Sequence, residues 1–155
     1  SRLVPSFHPH IGTYIENRRE IEILLERTDL GLTLDTGHLY LAGIDPAVAL
    51  DDYSSRINHI HIKDVRGDGI PGPELTHTTD LDDWWGEVSS PLGDGDVDLD
   101  NVIDRAIALE YPWLVIEQDR GPAPPGSLDG ISRDELANRR WLENAIARKR
   151  DRSTA

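Results

Sequence analysis

Four short apolar segments of this sequence each end in a side chain that can bind a metal ion. The segments end at His8, Asp35, His61 and Glu117. The first three lie 27 and 26 residues apart, and 56 residues, about two such units, separate His61 from Glu117. The double interval contains a weaker strand pattern near Ser89. Strands that alternate with helical patterns in this way predict a parallel sheet with helical crossovers.

Helix and loop signals lie between the strands. The motif T-Y-I-E at 13–16 has the spacing of a capping box, and S-R-D-E at 132–135 repeats that spacing before the last helix. The D-P pair at 45–46 predicts a helix with proline at its first position. We expect an irregular loop over 66–85, rich in turn residues and containing two tryptophans.

Alternation along the strands places the candidate ligands on one face. Residues two apart on a strand share a face, so His59 and His61 point the same way, as do Thr33 and Asp35. The same parity assigns Glu117 to that face, and the isoleucines beside the histidines then pack against helices. In a barrel of parallel strands, active sites lie at the carboxyl ends of the strands. The pattern therefore predicts an α/β fold of the (β/α)₈ TIM-barrel type.

A carboxylate at the end of a buried strand needs a partner. Its burial costs free energy unless it is hydrogen-bonded, paired with a charge or bound to a cation. The chain contains no cysteine, so any metal ion would be held by imidazole nitrogens and carboxylate oxygens, a donor set that suits Mn, Mg, Co, Fe or Zn. Carboxylates and imidazoles that converge at one barrel mouth predict a divalent metal site.

Each of these residues alone has a simpler interpretation. Asp35 has the composition and place of a helix N-cap or turn former. Either histidine of the pair would serve equally as a hydrogen-bonded histidine inside a barrel. Glu117 would pair with a nearby arginine, either Arg66 or Arg120. The prediction of a metal site depends on all four strand ends following the same spacing along the chain.

Composition restricts the partners. The net charge is −13, from 16 basic and 29 acidic residues, so the chain lacks the basic face of a nucleic-acid-binding protein. The basic cluster at 148–152 has the character of a solvated helix end. The sequence contains neither a run of about 18 apolar residues nor a signal peptide, so we expect a soluble, cytoplasmic protein without membrane contact. There is no methionine, which suggests a processed or excised piece of a longer chain.

Several motifs resemble one known family. The segments "DTGH", "RINHIHIKDV", "LGDGDVD" and "WLVIEQD" resemble the xylose-isomerase-like TIM barrels, the sugar phosphate isomerase/epimerase superfamily. The opening "FHPHIGTYIEN" together with "LDTGHLYLAGIDP" looks most like the inosose dehydratases within it. The resemblance covers Val4 to about Gln118 and implies only strands four to eight of the barrel.

The resemblance implies one divalent ion (Mn, Co, Mg or Zn) at the barrel mouth. Asp35, His61 and Glu117 match the ligand positions of the family. Many relatives carry a glutamate at the end of the fourth strand, where this chain has "HPH". His8 is the candidate for that position, with His10 as a close competitor. This departure argues against an epimerase mechanism that uses two glutamates.

The resemblance also implies a reaction class and further site residues. Relatives act on polyhydroxylated ketones through an enediolate, which leads to isomerisation, epimerisation or, by loss of a hydroxyl group, dehydration. Glu117 is the candidate base, and His38 or His10 the candidate acid. The expected substrate is a small sugar or inositol derivative. The candidate substrate-binding residues are His38, His59, Lys63, Arg66 and Trp84, although the tryptophan would serve equally to pack the loop onto the barrel rim.

The partial match leaves the assembly open. We assign residues 1–150 to a partial barrel and 151–155 to a C-terminal tail. Five strands cannot close a barrel, and their open edges favour association. The chain is therefore expected to be a fragment, a half-barrel that forms a homo-oligomer, or a subunit completed by another chain. A non-catalytic half-barrel is the alternative function. An endonuclease of the same superfamily that cuts at abasic sites is a minor alternative, which the charge disfavours.

Overall fold

The computed structural model describes residues 3–67, 81–119 and 128–153. The strands are β1 (Ser6–Phe7), β2 (Gly31–Asp35), β3 (Ile57–Ile62), β4 (Asp64–Val65), β5 (Ser89–Ser90) and β6 (Val115–Ile116). The helices are α1 (Arg18–Arg27), α2 (Thr36–Leu41), α3 (Pro46–Asp52), α4 (Leu81–Val88), α5 (Leu99–Ala108) and α6 (Leu128–Ser153). Strands and helices alternate through most of the chain, as predicted.

In the described part of the chain, the main sheet has four parallel strands in the order β1-β2-β3-β6. Asp35 of β2 lies opposite His61 of β3, and Thr33 lies opposite His59. His61 is in turn opposite Val115 of β6. A parallel sheet with helical connections is one part of a (β/α)₈ barrel, and the fold prediction is confirmed.

The strand expected near Ser89 forms, but it does not join this sheet. β5 pairs with β4 in an antiparallel two-stranded sheet, with Asp64 opposite Ser90, and β3 pairs directly with β6. The prediction of a parallel strand between β3 and β6 is therefore wrong. The chain continues past β3 through Lys63 into β4, whose backbone groups are then available to β5.

Two of the predicted helices begin at other residues in the structure. α1 begins after Asn17, whose side chain accepts a hydrogen bond from the backbone N–H of Glu20 while the Glu20 carboxylate accepts one from Asn17 N. The capping box thus lies four residues beyond the predicted one. α6 begins at Leu128, before the predicted start, and runs to Ser153, into the segment assigned as a tail. The helix at Asp45-Pro46 is confirmed, with the Asp45 carboxylate accepting from two backbone N–H groups.

The region around Trp84 was predicted to be irregular and is instead α4. Trp84 is half-buried and packs against the hydrophobic core. This contact favours the interpretation that the side chain packs the connection onto the barrel. Residues 68–80 of the loop predicted over 66–85 lie outside the described residues.

The core fills the layer between the sheet and its helices. Ile60 and Ile62 of β3 are fully buried, as the alternation predicted, together with Leu50 of α3 and Val102 and Ile103 of α5. Burying such side chains contributes about 1.5–3 kcal/mol each relative to leaving them exposed. None of the described helices is both long and apolar enough to cross a membrane.

Arg56 joins the end of α1 to the start of β3. Its guanidinium group donates to three backbone carbonyls, those of Leu25, Thr28 and Leu30, at 3.1, 2.8 and 2.6 Å. We expect Arg56→Met to lower the free energy of unfolding by about 2 kcal/mol, because hydrogen bonds to charged groups contribute roughly 1.5–3 kcal/mol. Urea denaturation measures this loss, with the exposed Arg27→Met as control. Equal stabilities of the two variants would contradict the prediction.

Candidate functional site

The four predicted strand ends come together at the carboxyl ends of the strands of the main sheet. His8 follows β1, Asp35 ends β2, His61 lies near the end of β3, and Glu117 follows β6. Because the strands are parallel neighbours, their carboxyl ends place these side chains close together, with Asp35 directly opposite His61. The sequence spacing therefore identified a real spatial cluster.

Asp35 is the centre of the cluster and is 1% exposed. Its Oδ1 accepts a hydrogen bond from the backbone N–H of His38 at 3.0 Å and so caps α2. Its Oδ2 lies 3.7 Å from His8 Nε2 and 3.5 Å from His61 Nδ1. The N-cap and the strand-end cluster are thus two functions of one carboxylate.

His61 and Glu117 form a close pair. His61 Nδ1 lies 2.6 Å from Glu117 Oε2, but without the alignment that a hydrogen bond needs. The carboxylates of Asp35 and Glu117 raise the pKa of His61 to about 9. His61, and then Lys63, lower the pKa of Glu117 to about 2 despite its burial. A carboxylate held so firmly as an anion suits cation binding better than the proton abstraction predicted for it.

The buried polar atoms of the cluster fit a metal ion. Among the described residues, His8 Nε2, Asp35 Oδ2 and His61 Nδ1 are buried and lack a hydrogen-bond partner, a condition that costs free energy without a ligand. Two donors about 2.1 Å from one ion lie roughly 3.0–3.5 Å apart. The Asp35 spacings of 3.5 and 3.7 Å are close to that range, whereas the His61–Glu117 spacing of 2.6 Å is shorter. Asp35, His61 and Glu117 also satisfy the geometry of a three-ligand group.

Lys63 lies beside this cluster and has no solvent exposure. Its Nζ donates to Glu117 Oε1 and Asp119 Oδ2 at 2.8 Å each, and lies 3.3 Å from Asp35 Oδ2 and 3.2 Å from His38 Nε2. Burial lowers the pKa of Lys63, but the surrounding carboxylates, Asp35 foremost, outweigh it and the net pKa is raised. The sequence prediction had Lys63 contacting substrate; the structure gives its ammonium group to the carboxylates instead.

Asp119 is the residue that the sequence analysis missed. It is two residues beyond Glu117, so the alternation that placed Glu117 on the inner face also applies to it. Its Oδ2 contacts Lys63, and with His38 and Glu117 it forms a further group of potential metal ligands.

His38 and His10 lie against each other at the edge of the cluster, with ring centroids 3.7 Å apart and ring planes tilted by 38°. His38 is 2% exposed, and burial lowers its pKa to about 3. The neutral imidazole donates or accepts a hydrogen bond but is a poor cationic acid at neutral pH. His10 is half-buried, and its Nδ1 lies 2.8 Å from the carbonyl oxygen of Ile11. That contact fixes the proton on Nδ1 and leaves the lone pair on Nε2.

The other predicted substrate-binding residues lie outside this cluster. His59 is half-buried and lies two residues before His61 on β3. Its ring is 5.5 Å from the His61 ring and 6.4 Å from the Trp113 ring. Arg66 is exposed and donates to the carbonyl oxygen of Asp94 at 3.2 Å. Trp84 packs against the core from α4.

Comparison with known proteins gives consistent results. The chain is 32% identical over 121 residues to the inosose dehydratase of Salmonella agona (strain SL483), a match that covers 76% of this chain and 40% of that protein. It is 36% identical over 124 residues to the inosose dehydratase of Geobacillus kaustophilus (strain HTA426), covering 76% and 39%. The chain thus spans well under half the length of the curated relatives it matches.

The fold is found in solved structures. A D-tagatose 3-epimerase-like protein superposes with a TM-score of 0.68 at 14% identity, over 97% of this chain and 49% of that one. A sequence model described as xylose isomerase-like TIM barrel matches residues 4–144. The parallel sheet, the strand-end cluster and this match agree, and the chain belongs to the xylose isomerase-like TIM barrel family.

Proposed function

We propose that this chain provides the metal-holding part of an enzyme that acts on an inosose or a related polyhydroxylated ketone. The observation that carries the proposal is the convergence of buried donor atoms of His8, Asp35 and His61, none of which makes a hydrogen bond within the described residues, at the strand ends next to Glu117. The inosose dehydratases at 32% and 36% identity support the substrate class and favour dehydration over isomerisation or epimerisation.

His8, Asp35, His61 and Glu117 would hold one divalent ion, Mn, Co, Mg or Zn. When bound, such an ion polarises a carbonyl oxygen and acidifies the adjacent C–H bond. Asp35 keeps its carboxylate oriented through the N-cap bond to His38 N, so the ligand geometry is set before any ion arrives. Lys63 orients the second oxygen of Glu117.

His10 is our candidate for moving the substrate proton, at Nε2. The Nδ1 contact with the Ile11 carbonyl oxygen assigns the lone pair to Nε2, and the ring is partly accessible beside the cluster. The neutral His38 ring lies against the His10 ring, with centroids 3.7 Å apart, and helps to hold it in place. This assignment replaces Glu117 as base, because Lys63 pairs with Glu117 Oε1 and the proposed ion would be bound on the Oε2 side, beside His61.

A dehydration assay tests the proposal. The chain is incubated with an inosose and Mn²⁺ or Co²⁺, and loss of the hydroxyl group is followed by the absorbance of the unsaturated product. We expect turnover by the wild-type chain, loss of at least about 100-fold for Glu117→Gln, since outer-shell changes alone cost 10–100-fold, and no change for the exposed Glu26→Gln. An active Glu117→Gln variant, or no metal-dependent turnover by the wild type, would contradict the proposal.

A second candidate is a half-barrel whose site is completed by further strands. Within the described residues, β1 and β6 form the two edges of the main sheet, and each pairs on one side only. The length of the matched relatives favours this candidate. Sedimentation velocity distinguishes a 17.3 kDa monomer from a homodimer, and a stable, active monomer would exclude completion by a second copy.

A further inference from the structure

The ammonium group of Lys63 has the surroundings of a bound metal ion. Four donor atoms of the types that bind divalent metals lie within 3.3 Å of Nζ: three carboxylate oxygens, from Asp35, Glu117 and Asp119, and the His38 Nε2 atom. The side chain is fully buried. A lysine normally extends its charged end to water, so this placement requires a specific reason.

Three of these neighbours form a potential ligand group by themselves. Donor atoms of His38, Glu117 and Asp119 lie within 4.8 Å of one another. The first group, Asp35, His61 and Glu117, has the same property. Glu117 belongs to both groups, with Oε2 towards His61 and Oε1 towards Lys63. A shared carboxylate between two ligand groups is the arrangement expected for two ions about 3.5–4 Å apart.

We propose that the Lys63 ammonium group occupies a second cation position, so that this chain takes one divalent ion where its ligands could hold two. The inference rests on the proposed function for the first ion. The charges agree with it: the three carboxylates and the ammonium group sum to two negative charges. One divalent ion balances them once its imidazole ligands are neutral, as metal binding requires.

The four residues of the "DTGH" motif all contact Lys63. The Thr36 hydroxyl accepts from Lys63 N at 2.8 Å and donates to Lys63 O at 2.6 Å. Gly37 leaves room for the stem, since a Cβ there would lie 2.8 Å from Lys63 Cγ and Cδ. Asp35 and His38 reach the ammonium group itself. The motif therefore holds this lysine in place as well as supplying a metal ligand.

Metal stoichiometry tests the inference. The wild-type chain and Lys63→Ala are titrated with Mn²⁺ by calorimetry, and the bound metal is examined by electron paramagnetic resonance. We expect one uncoupled ion in the wild type, even at excess metal, and two spin-coupled ions in Lys63→Ala. Lys63→Met is the matched control, because its neutral side chain fills the space of the stem without freeing the position; it should bind one ion.

A double variant assigns the second position. Lys63→Ala combined with Asp119→Asn should return the stoichiometry to one. Two ions in the wild type would overturn the inference without any variant, which covers the case in which Lys63→Ala does not fold. One ion in both the wild type and a folded Lys63→Ala would overturn the inference and leave the proposed function intact. No ion in the wild type would overturn the proposed function, and the inference with it.

Discussion

Asp64→Ala should destabilise this protein more than any other single carboxylate change outside the candidate metal site. Asp64 is 1% exposed, and its two oxygens accept hydrogen bonds from four backbone N–H groups. These donors are Val65, Gly93, Gly95 and Val97, at 3.0, 2.8, 3.1 and 3.3 Å. The carboxylate thus holds the "GDGD" turn against β4.

We expect the free energy of unfolding of Asp64→Ala to fall by roughly 4 kcal/mol, since each buried donor left unpaired costs about 1–3 kcal/mol and water would reach some of them. Chemical denaturation measures it. Asp98→Ala is the matched control, because exposed Asp98 caps α5 through a single backbone N–H and should cost about 1 kcal/mol. A loss for Asp64→Ala no greater than for Asp98→Ala would contradict this account of the turn.

The space around Asp64 explains the glycines of the turn. A Cβ on Gly95 would lie 2.2 Å from Asp64 Oδ1, and Gly93 has a φ of 89°. Only glycine at 95 allows the backbone to approach the carboxylate so closely, and glycine at 93 adopts the positive φ without strain. The contacts of Asp64 with Gly93 N and Gly95 N therefore give this turn a structural function.

Asp35→Asn should abolish tight metal binding while the fold is retained. Asn keeps an oxygen to accept from His38 N, so the cap of α2 survives. The other carboxylate oxygen, which faces His8 and His61, becomes an NH₂ group that cannot bind a cation. We expect the Mn²⁺ affinity to fall by at least about 100-fold, more than the 10–100-fold typical of outer-shell changes.

Calorimetric titration measures this loss, with circular dichroism to check the fold. Asp29→Asn is the matched control, since Asp29 is exposed and is not one of the proposed ligands. Unchanged affinity in a folded Asp35→Asn variant would mean that the strand-end cluster does not bind the metal.

The main sheet and most of the cluster could be predicted because both depend on local rules. Side chains alternate between the two faces of a strand, and successive strand ends lie 26 or 27 residues apart. Both rules apply to β2 and β3 irrespective of distant contacts. The same parity predicts the inward positions of Asp35, His61 and Glu117, and it would also have identified Asp119. Asp119 lies two residues beyond Glu117, so a rule that considers only the residue at each strand end does not include it.

Other features depend on tertiary contacts and could not be predicted. β5 has two residues and pairs with β4 only because the chain turns after Lys63. α4 contributes Trp84 to the core. The turn-rich composition of this region does not predict that contact. Lys63 is buried because four distant side chains surround it, whereas isolated lysines are nearly always exposed.

The most direct test of the metal site is the metal content of the purified wild-type chain after dialysis, by elemental mass spectrometry. The account predicts about one Mn, Co, Zn or Mg ion per chain, held by His8, Asp35, His61 and Glu117. A folded chain that retains no metal, and takes up none when Mn²⁺ or Co²⁺ is added, would contradict it.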